Sequence, residues 1–216
     1  MTLRYEILPV TPFQQNCTLL WCEATRRAAV VDAGGDLPAI VAAVERLGLT
    51  VDKLLLTHGH IDHAGAAAAL AARLGVEIEG PQQEEAFWLD QLPQQGAMFG
   101  FPPAQPLTPQ RWLEDGDQVS VGEEVLEVRH CPGHTPGHVV FISHTARLVI
   151  AGDVLFQRSI GCTDFPRGDF DQLAAAIRGK LFTLPDDYVV LPGHGPSTTI
   201  GEERLHNPFV SDRRYG

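Results

Sequence analysis

Short apolar runs punctuated by Gly, Pro and charged residues recur along the chain, and their period predicts an alternation of buried strands with a few helices. Segments 4–10, 17–22 and 28–32 read as strands of an opening sheet. A helix over 37–47 follows, with Leu37, Ile40, Val41, Val44 and Leu47 on one face, Asp36 as N-cap and Gly48 as stop. The apolar run Leu54, Leu55, Leu56 predicts a buried strand, and the Ala-rich segment 64–74, ending at Gly75, predicts a second helix. A third helix is expected over 83–92, before a Pro- and Gln-rich stretch, 93–109, that reads as a long loop. Met98, Phe99, Phe101 and Trp112 lie in or near that stretch and would form an apolar wall or a satellite core. The second half echoes the first: strands at 119–121, 125–130, 138–143 and 147–151, a helix over 170–181, and a last strand at 188–191. Two back-to-back mixed sheets flanked by helices, an α/β class αββα sandwich, account for that order in one domain over 1–216.

Ligand-type residues stand where the apolar runs stop. Thr57-His58-Gly59-His60-Ile61-Asp62-His63 directly follows Leu54 to Leu56. In extended chain His58 and His60 project to the same side, since side chains alternate with period two. Asp62 and His63 leave in other directions as the chain turns, so one short loop can serve two adjacent ions. The run 125–128 leads to His130-Cys131-Pro132-Gly133-His134 and on to His138. The run 148–151 leads to Gly152-Asp153, and 188–191 to Pro192-Gly193-His194. Gly or Pro beside each permits a sharp backbone path, and strand ends on one rim of a sheet can converge. His58, His60, His63, His134 and His194 with Asp62 and Asp153 would supply two divalent ions with three or four ligands each, leaving positions open as catalytic sites do. Imidazole and carboxylate together suit zinc, iron or manganese.

Composition narrows the function classes. The 216 residues carry 16 Lys and Arg against 27 Asp and Glu, a formal charge of −11, which argues against a nucleic-acid substrate. Neither an amino-terminal signal pattern nor a membrane-length apolar run is present, so a cytoplasmic protein without membrane association is expected. Cys17, Cys22, Cys131 and Cys162 have no Cys-x-x-Cys spacing, and all but Cys162 read as structural thiols. Oligomeric state is not readable from the chain.

The order Thr57-His58-x-His60-x-Asp62-His63, then His134, Asp153 and His194, resembles the metallo-β-lactamase fold superfamily of binuclear hydrolases. The match runs from Pro12 to Pro208 and is similar above all to the short bacterial type II glyoxalases, the hydroxyacylglutathione hydrolases. Asp32 to Asp36, Cys131 to His138, Asp164 to Asp169 and Arg204 to Phe209 support it. The resemblance implies that His58, His60 and His134 hold one ion, that Asp62, His63 and His194 hold the other, and that Asp153 bridges them. It implies hydrolysis of a glutathione thioester, S-D-lactoylglutathione to D-lactate and glutathione, by a hydroxide shared between the ions, with Asp62 orienting it. His130 and His138 fall outside the ligand pattern and are expected to be buried or supporting imidazoles. Longer type II glyoxalases bind the glutathione carboxylates through a C-terminal helical domain that this sequence does not reach. Arg158, Arg167 and Arg204 are therefore the candidate glutathione contacts, and Cys162 stands where the family often has a cation. The rival is a persulfide dioxygenase of the same fold, with a single iron on His58, His134 and Asp153; a lactonase is a further reading. A class B β-lactamase is disfavoured by the lack of a signal and of a second-site cysteine ligand.

Overall fold

The computed structural model describes residues 2–211. The chain runs through β1 (Leu3–Val10), β2 (Gln15–Cys22), β3 (Arg27–Val31), α1 (Leu37–Leu47) and β4 (Thr50–Leu55) to α2 (Ile61–Ala64), α3 (Ala67–Leu74) and β5 (Glu77–Glu79). A 3₁₀ turn (Gln83–Glu85) leads into α4 (Ala86–Leu89) and α5 (Leu92–Phe99). The second half contains β6 (Gln118–Val121), β7 (Glu124–His130), β8 (Val139–Ser143), β9 (Leu148–Gly152) and the small hairpin β10 (Leu155–Phe156) with β11 (Ser159–Ile160). It closes with α6 (Phe170–Ala176), a π-helical turn (Ile177–Leu181), β12 (Val189–Pro192), β13 (Thr198–Thr199) and α7 (Ile200–His206).

Two mixed sheets result. The first has strand order β1-β2-β3-β4-β5 and the second β13-β12-β9-β8-β7-β6. Period-two alternation sorts their side chains into three cores. Leu20, Val31, Leu55, Val139, Phe141 and Leu191 point between the sheets. Their neighbours Leu19, Val30 and Leu54 point outward under Ile40 of α1 and Leu70 of α3. On the opposite side Val140, Val149 and Val190 meet Leu173 of α6 and Ile177. This is the expected αββα sandwich, and the inner strands β2, β3, β8 and β9 are near-continuously apolar because both of their faces are covered. No helix among the described residues is long and apolar enough to cross a membrane.

Several local expectations are corrected. Asp36 does hold the N-cap position of α1, its carbonyl accepting from Ala39 N at 2.8 Å, but in the left-handed region at φ 48° and with no side-chain cap bond; its Oδ2 accepts from Thr11 N at 2.7 Å instead. Gly48 does end the helix, at φ 61°. The segment 64–74 is not one helix but the C-terminus of α2, a break at Gly65 and Ala66, and α3. The expected helix over 83–92 is divided between the 3₁₀ turn and α4, and the expected loop from 93 begins as α5, with Pro93 in its first turn where a missing N–H does no harm.

Candidate metal centre

The four ligand-bearing turns meet at one rim of the sandwich. Val139 N donates to Thr57 O at 2.9 Å, joining β8 to the turn after β4, and Cys131 N donates to His138 O at 2.8 Å, closing the loop that carries His134. Asn16 at the start of β2 grips the turn after β12. Its backbone N donates to Gly193 O at 2.7 Å, and its Nδ2 donates to Pro192 O and Gly195 O at 3.0 and 2.9 Å. Gly193 is needed for close approach: a Cβ there would lie 2.1 Å from Asp153 Oδ1 and 2.6 Å from His63 Cε1.

All seven residues singled out in the sequence come together, in two trios with Asp153 between. His60 Nδ1 lies 3.2 Å from His58 Nε2 and 3.1 Å from His134 Nε2. In the second trio His194 Nε2 is 3.1 Å from Asp62 Oδ2, and His63 Nε2 is 3.8 Å from the same oxygen. Asp153 Oδ1 stands 3.3 Å from His63 Nε2, while its Oδ2 is 3.6 Å from His134 Nε2 and 3.7 Å from His194 Nε2. Each trio offers three ligand atoms close enough to hold one ion.

The donor chemistry fits divalent ions. His134 Nδ1 donates to Cys162 O at 2.7 Å, His63 Nδ1 to Asp32 Oδ2 at 2.8 Å, and His194 Nδ1 to Phe13 O at 3.2 Å. His58 Nδ1 donates to Thr57 Oγ1 at 3.0 Å, and that hydroxyl donates on to Asp32 Oδ2 at 2.6 Å. In all four rings the proton assigned by these partners sits on Nδ1, which leaves the Nε2 lone pair facing inward, the usual outer-shell arrangement of metal-binding imidazoles. His63 Nε2 and Asp153 Oδ1 are buried without a hydrogen-bond partner, as atoms awaiting a cation would be.

Burial pushes His60 down to about 3 and His58 well below the ordinary range, and it lowers His134 as well, so this trio is made of neutral imidazoles. The second trio behaves differently. Burial would lower His63 and His194, but the facing Asp153 and Asp62 outweigh it and raise both. Burial would likewise raise Asp62 and Asp153, yet His63 and the neighbouring imidazoles hold both carboxyls below their usual range.

Residues outside the ligand set build the support. His138, fully buried, accepts from Asp153 N at its Nε2, 3.0 Å away, so it positions Asp153 as the expected supporting imidazole. His130 Nε2 bonds Pro136 O at 2.8 Å. Sequence reasoning missed three supports. Asp32 ties Thr57 and His63 together. Glu85, fully buried, accepts from Gly59 N at 2.9 Å and Gly137 N at 2.7 Å, bridging the His60 and His138 loops. Gln95 accepts from Ile61 N at 3.0 Å and donates to Gly59 O at 3.2 Å, so the backbone on both sides of His60 is fixed. Of the three only Asp32, at the end of the apolar run 28–31, stands out in the sequence; Glu85 and Gln95 lie in polar, Gln-rich stretches.

A cavity of ≈ 660 Å³ opens over the trios, with His60, Asp62, His134, Asp153 and His194 on its floor. The arginines expected to contact substrate do not line it. Arg158 donates to His206 O at 3.0 Å and pairs with Glu202 at 3.2 Å. Arg204 pairs with Asp186 and donates to Phe182 O and Leu184 O, both at 2.5 Å. Their guanidinium groups are taken up on and beside α7, so neither lines the cavity. Arg167 stacks 4.0 Å above the Phe87 ring, beside Pro166, which does line the cavity. Cys162 is exposed and lines the cavity, whereas Cys17, Cys22 and Cys131 are buried.

Residues 10–194 match the family model of the metallo-beta-lactamase superfamily. The chain belongs to that superfamily. The hydroxyacylglutathione hydrolase GloC of Haemophilus influenzae is 45% identical over 98% of this chain and 100% of its own length. Among solved structures, the BLEG-1 B3 metallo-beta-lactamase is 35% identical at TM-score 0.88, over 96% of this chain and 99% of that one. TTHA1623, solved in a di-iron-bound form, is 33% identical at TM-score 0.86, over 94% and 99%. ETHE1 from Myxococcus xanthus is 29% identical at TM-score 0.78, over 98% and 86%. A metallo-hydrolase of this superfamily with a divalent-metal site is thereby supported.

Proposed function

We propose that the protein is a binuclear thioester hydrolase acting on hydroxyacylglutathione, with S-D-lactoylglutathione as the reference substrate. The observation that carries the reading is the division of seven side chains into two adjacent trios around Asp153, together with the likeness to GloC. His58, His60 and His134 would hold one ion and Asp62, His63 and His194 the other, with zinc, iron and manganese all compatible with the donor set. When bound, the ions supply Lewis acidity, polarising the thioester carbonyl and lowering the pKa of coordinated water from 15.7 to roughly 7.

The chain's own groups do the remainder. Asp62, on the cavity floor, orients the attacking water. The leaving thiolate needs no strong general acid, since a thiol of pKa about 8.5 departs readily. Covalent catalysis is not called for: Cys131 is buried, its thiol pushed up to about 12 by burial, and it does not reach the cavity. Of the expected substrate arginines, Arg167 alone stays beside the cavity.

A second reading, oxidation of glutathione persulfide on one iron held by His58, His134 and Asp153, draws support from the likeness to ETHE1. A lactonase is a third. Hydrolysis of S-D-lactoylglutathione by metal-analysed protein, run beside oxygen uptake on glutathione persulfide and turnover of a lactone and a β-lactam, separates them. Thioester turnover without oxygen uptake is expected. Oxygen uptake with one iron per chain and no thioester turnover overturns the proposal.

A further inference from the structure

The floor of the cavity is polar and ionic, but its walls are not. Phe13 from the β1–β2 turn, Trp88 from α4, Met98 and Phe99 from α5, Phe156 from β10 and Phe165 from the 161–169 segment enclose it. The apolar surface is continuous with the reacting centre: the Trp88 ring lies 4.6 Å from that of His60, Phe165 is 5.0 Å from His60, and Phe156 is 6.3 Å from His194. At the mouth, Phe13 packs edge-on against Phe99 at 5.8 Å. Met98 (77%), Phe99 (46%), Phe13 (44%) and Phe165 (39%) remain exposed, so apolar area that burial elsewhere removes from water is here left open around one opening.

The charge balance divides a glutathione thioester into two parts. Among the described residues lining the cavity the charged side chains are Asp62 and Asp153 plus imidazoles, with no lysine or arginine. Glutathione carries two carboxylates, and an unpaired carboxylate taken out of water into apolar walls beside two aspartates is strongly disfavoured. The acyl side of the thioester carries no such charge. A lactoyl group, three carbons with a hydroxyl, leaves most of a ≈ 660 Å³ cavity and its aromatic walls without contact.

We propose that the cavity is an acyl-group pocket, and that the thioesters this protein turns over best carry an aromatic or branched apolar acyl group of about phenyl size, the glutathione carboxylates staying at the solvent side. The inference rests on thioester hydrolysis as the reaction.

S-lactoylglutathione and S-mandeloylglutathione make the direct comparison, because they share the α-hydroxyl and differ only by phenyl in place of methyl. The holoenzyme is expected to favour mandeloyl in kcat/KM by about tenfold or more, within the range that apolar pocket contacts give for one to a few carbons. Phe99→Ser and Met98→Ser, both at exposed positions, should bring the mandeloyl-to-lactoyl ratio toward one while the melting temperature stays near that of the parent protein. A binding readout independent of turnover is Trp88 fluorescence, with Trp88→Phe as control, titrated with the non-hydrolysable S-benzylglutathione and S-methylglutathione; the benzyl compound should bind at least tenfold more tightly. Equal constants for lactoyl and mandeloyl thioesters, or a ratio that neither serine variant moves, overturn the acyl pocket while leaving thioester hydrolysis standing. Selective benzyl binding with no turnover of either thioester upholds the pocket and removes the proposed reaction. Equal binding of both thioethers with no turnover overturns both.

Discussion

Glu85→Gln sets two effects on one carboxyl against each other. The side chain is fully buried and accepts backbone N–H groups from Gly59 and Gly137. Burial disfavours its ionised form, while the two donors favour it. Burial wins, placing the carboxyl at about 7 instead of the ordinary 4.5. A group whose folded pKa is raised contributes stability that is fully present below the unfolded value and is lost as pH climbs through the folded value, because in that window the native state binds more protons than the unfolded one. Between about pH 5.5 and about pH 8.5 the linkage integral for these two pKa values comes to about 2 kcal/mol lost by the parent protein. Glutamine cannot titrate, so the stability difference between the parent protein and Glu85→Gln should shift toward the variant by about that amount over this range. Urea unfolding of both proteins at several pH values, in chelator so that metal binding does not enter, reads the difference directly, and every other titrating group cancels in it. A difference that is flat, or that moves toward the parent protein with rising pH, would mean that the two backbone donors outweigh burial and hold Glu85 ionised, and the argument from burial would fail.

Other outcomes follow from the same geometry. His194→Ala removes one of three groups from the second trio and should take with it one bound ion and most thioester hydrolysis, read by metal analysis and turnover; full activity would contradict the binuclear mechanism. Asp32→Ala strips His63 of its Nδ1 acceptor and Thr57 of its partner, so metal affinity should fall about 10- to 100-fold in a chelator competition, as for other supporting carboxylates. Arg158→Ala should leave KM for a glutathione thioester within about twofold, since its guanidinium is engaged by Glu202 and His206 O; a large rise in KM would show that the side chain swings to the substrate.

The sheets were legible because both faces of the inner strands β2, β3, β8 and β9 are buried, which concentrates Val, Ile, Leu and Ala into runs such as 28–31 and 148–151. The trios were legible because their ligand types are uncommon inside a fold and stand just past those runs. Elements of two or three residues, β5, β10, β11 and β13, are too short to show a period, and α5 was hidden by Pro93, which marks a helix start as readily as a loop. Glu85 and Gln95 escaped notice because they act on backbone groups 26 and 36 residues distant, at Gly59, a pairing that exists only once α4 and α5 fold over the His60 loop. The arginines show the converse: Arg158 and Arg204 have the right chemistry for a carboxylate, but in the fold Glu202 and Asp186 pair with them.

The central claim is that the seven side chains form two ion sites which act together. Stepwise return of zinc, manganese or ferrous iron to metal-free protein, with S-D-lactoylglutathione hydrolysis measured at each addition, tests it most directly. Activity should rise until about two equivalents are bound and then level off. Full activity at one equivalent, with no further gain from a second, would contradict it.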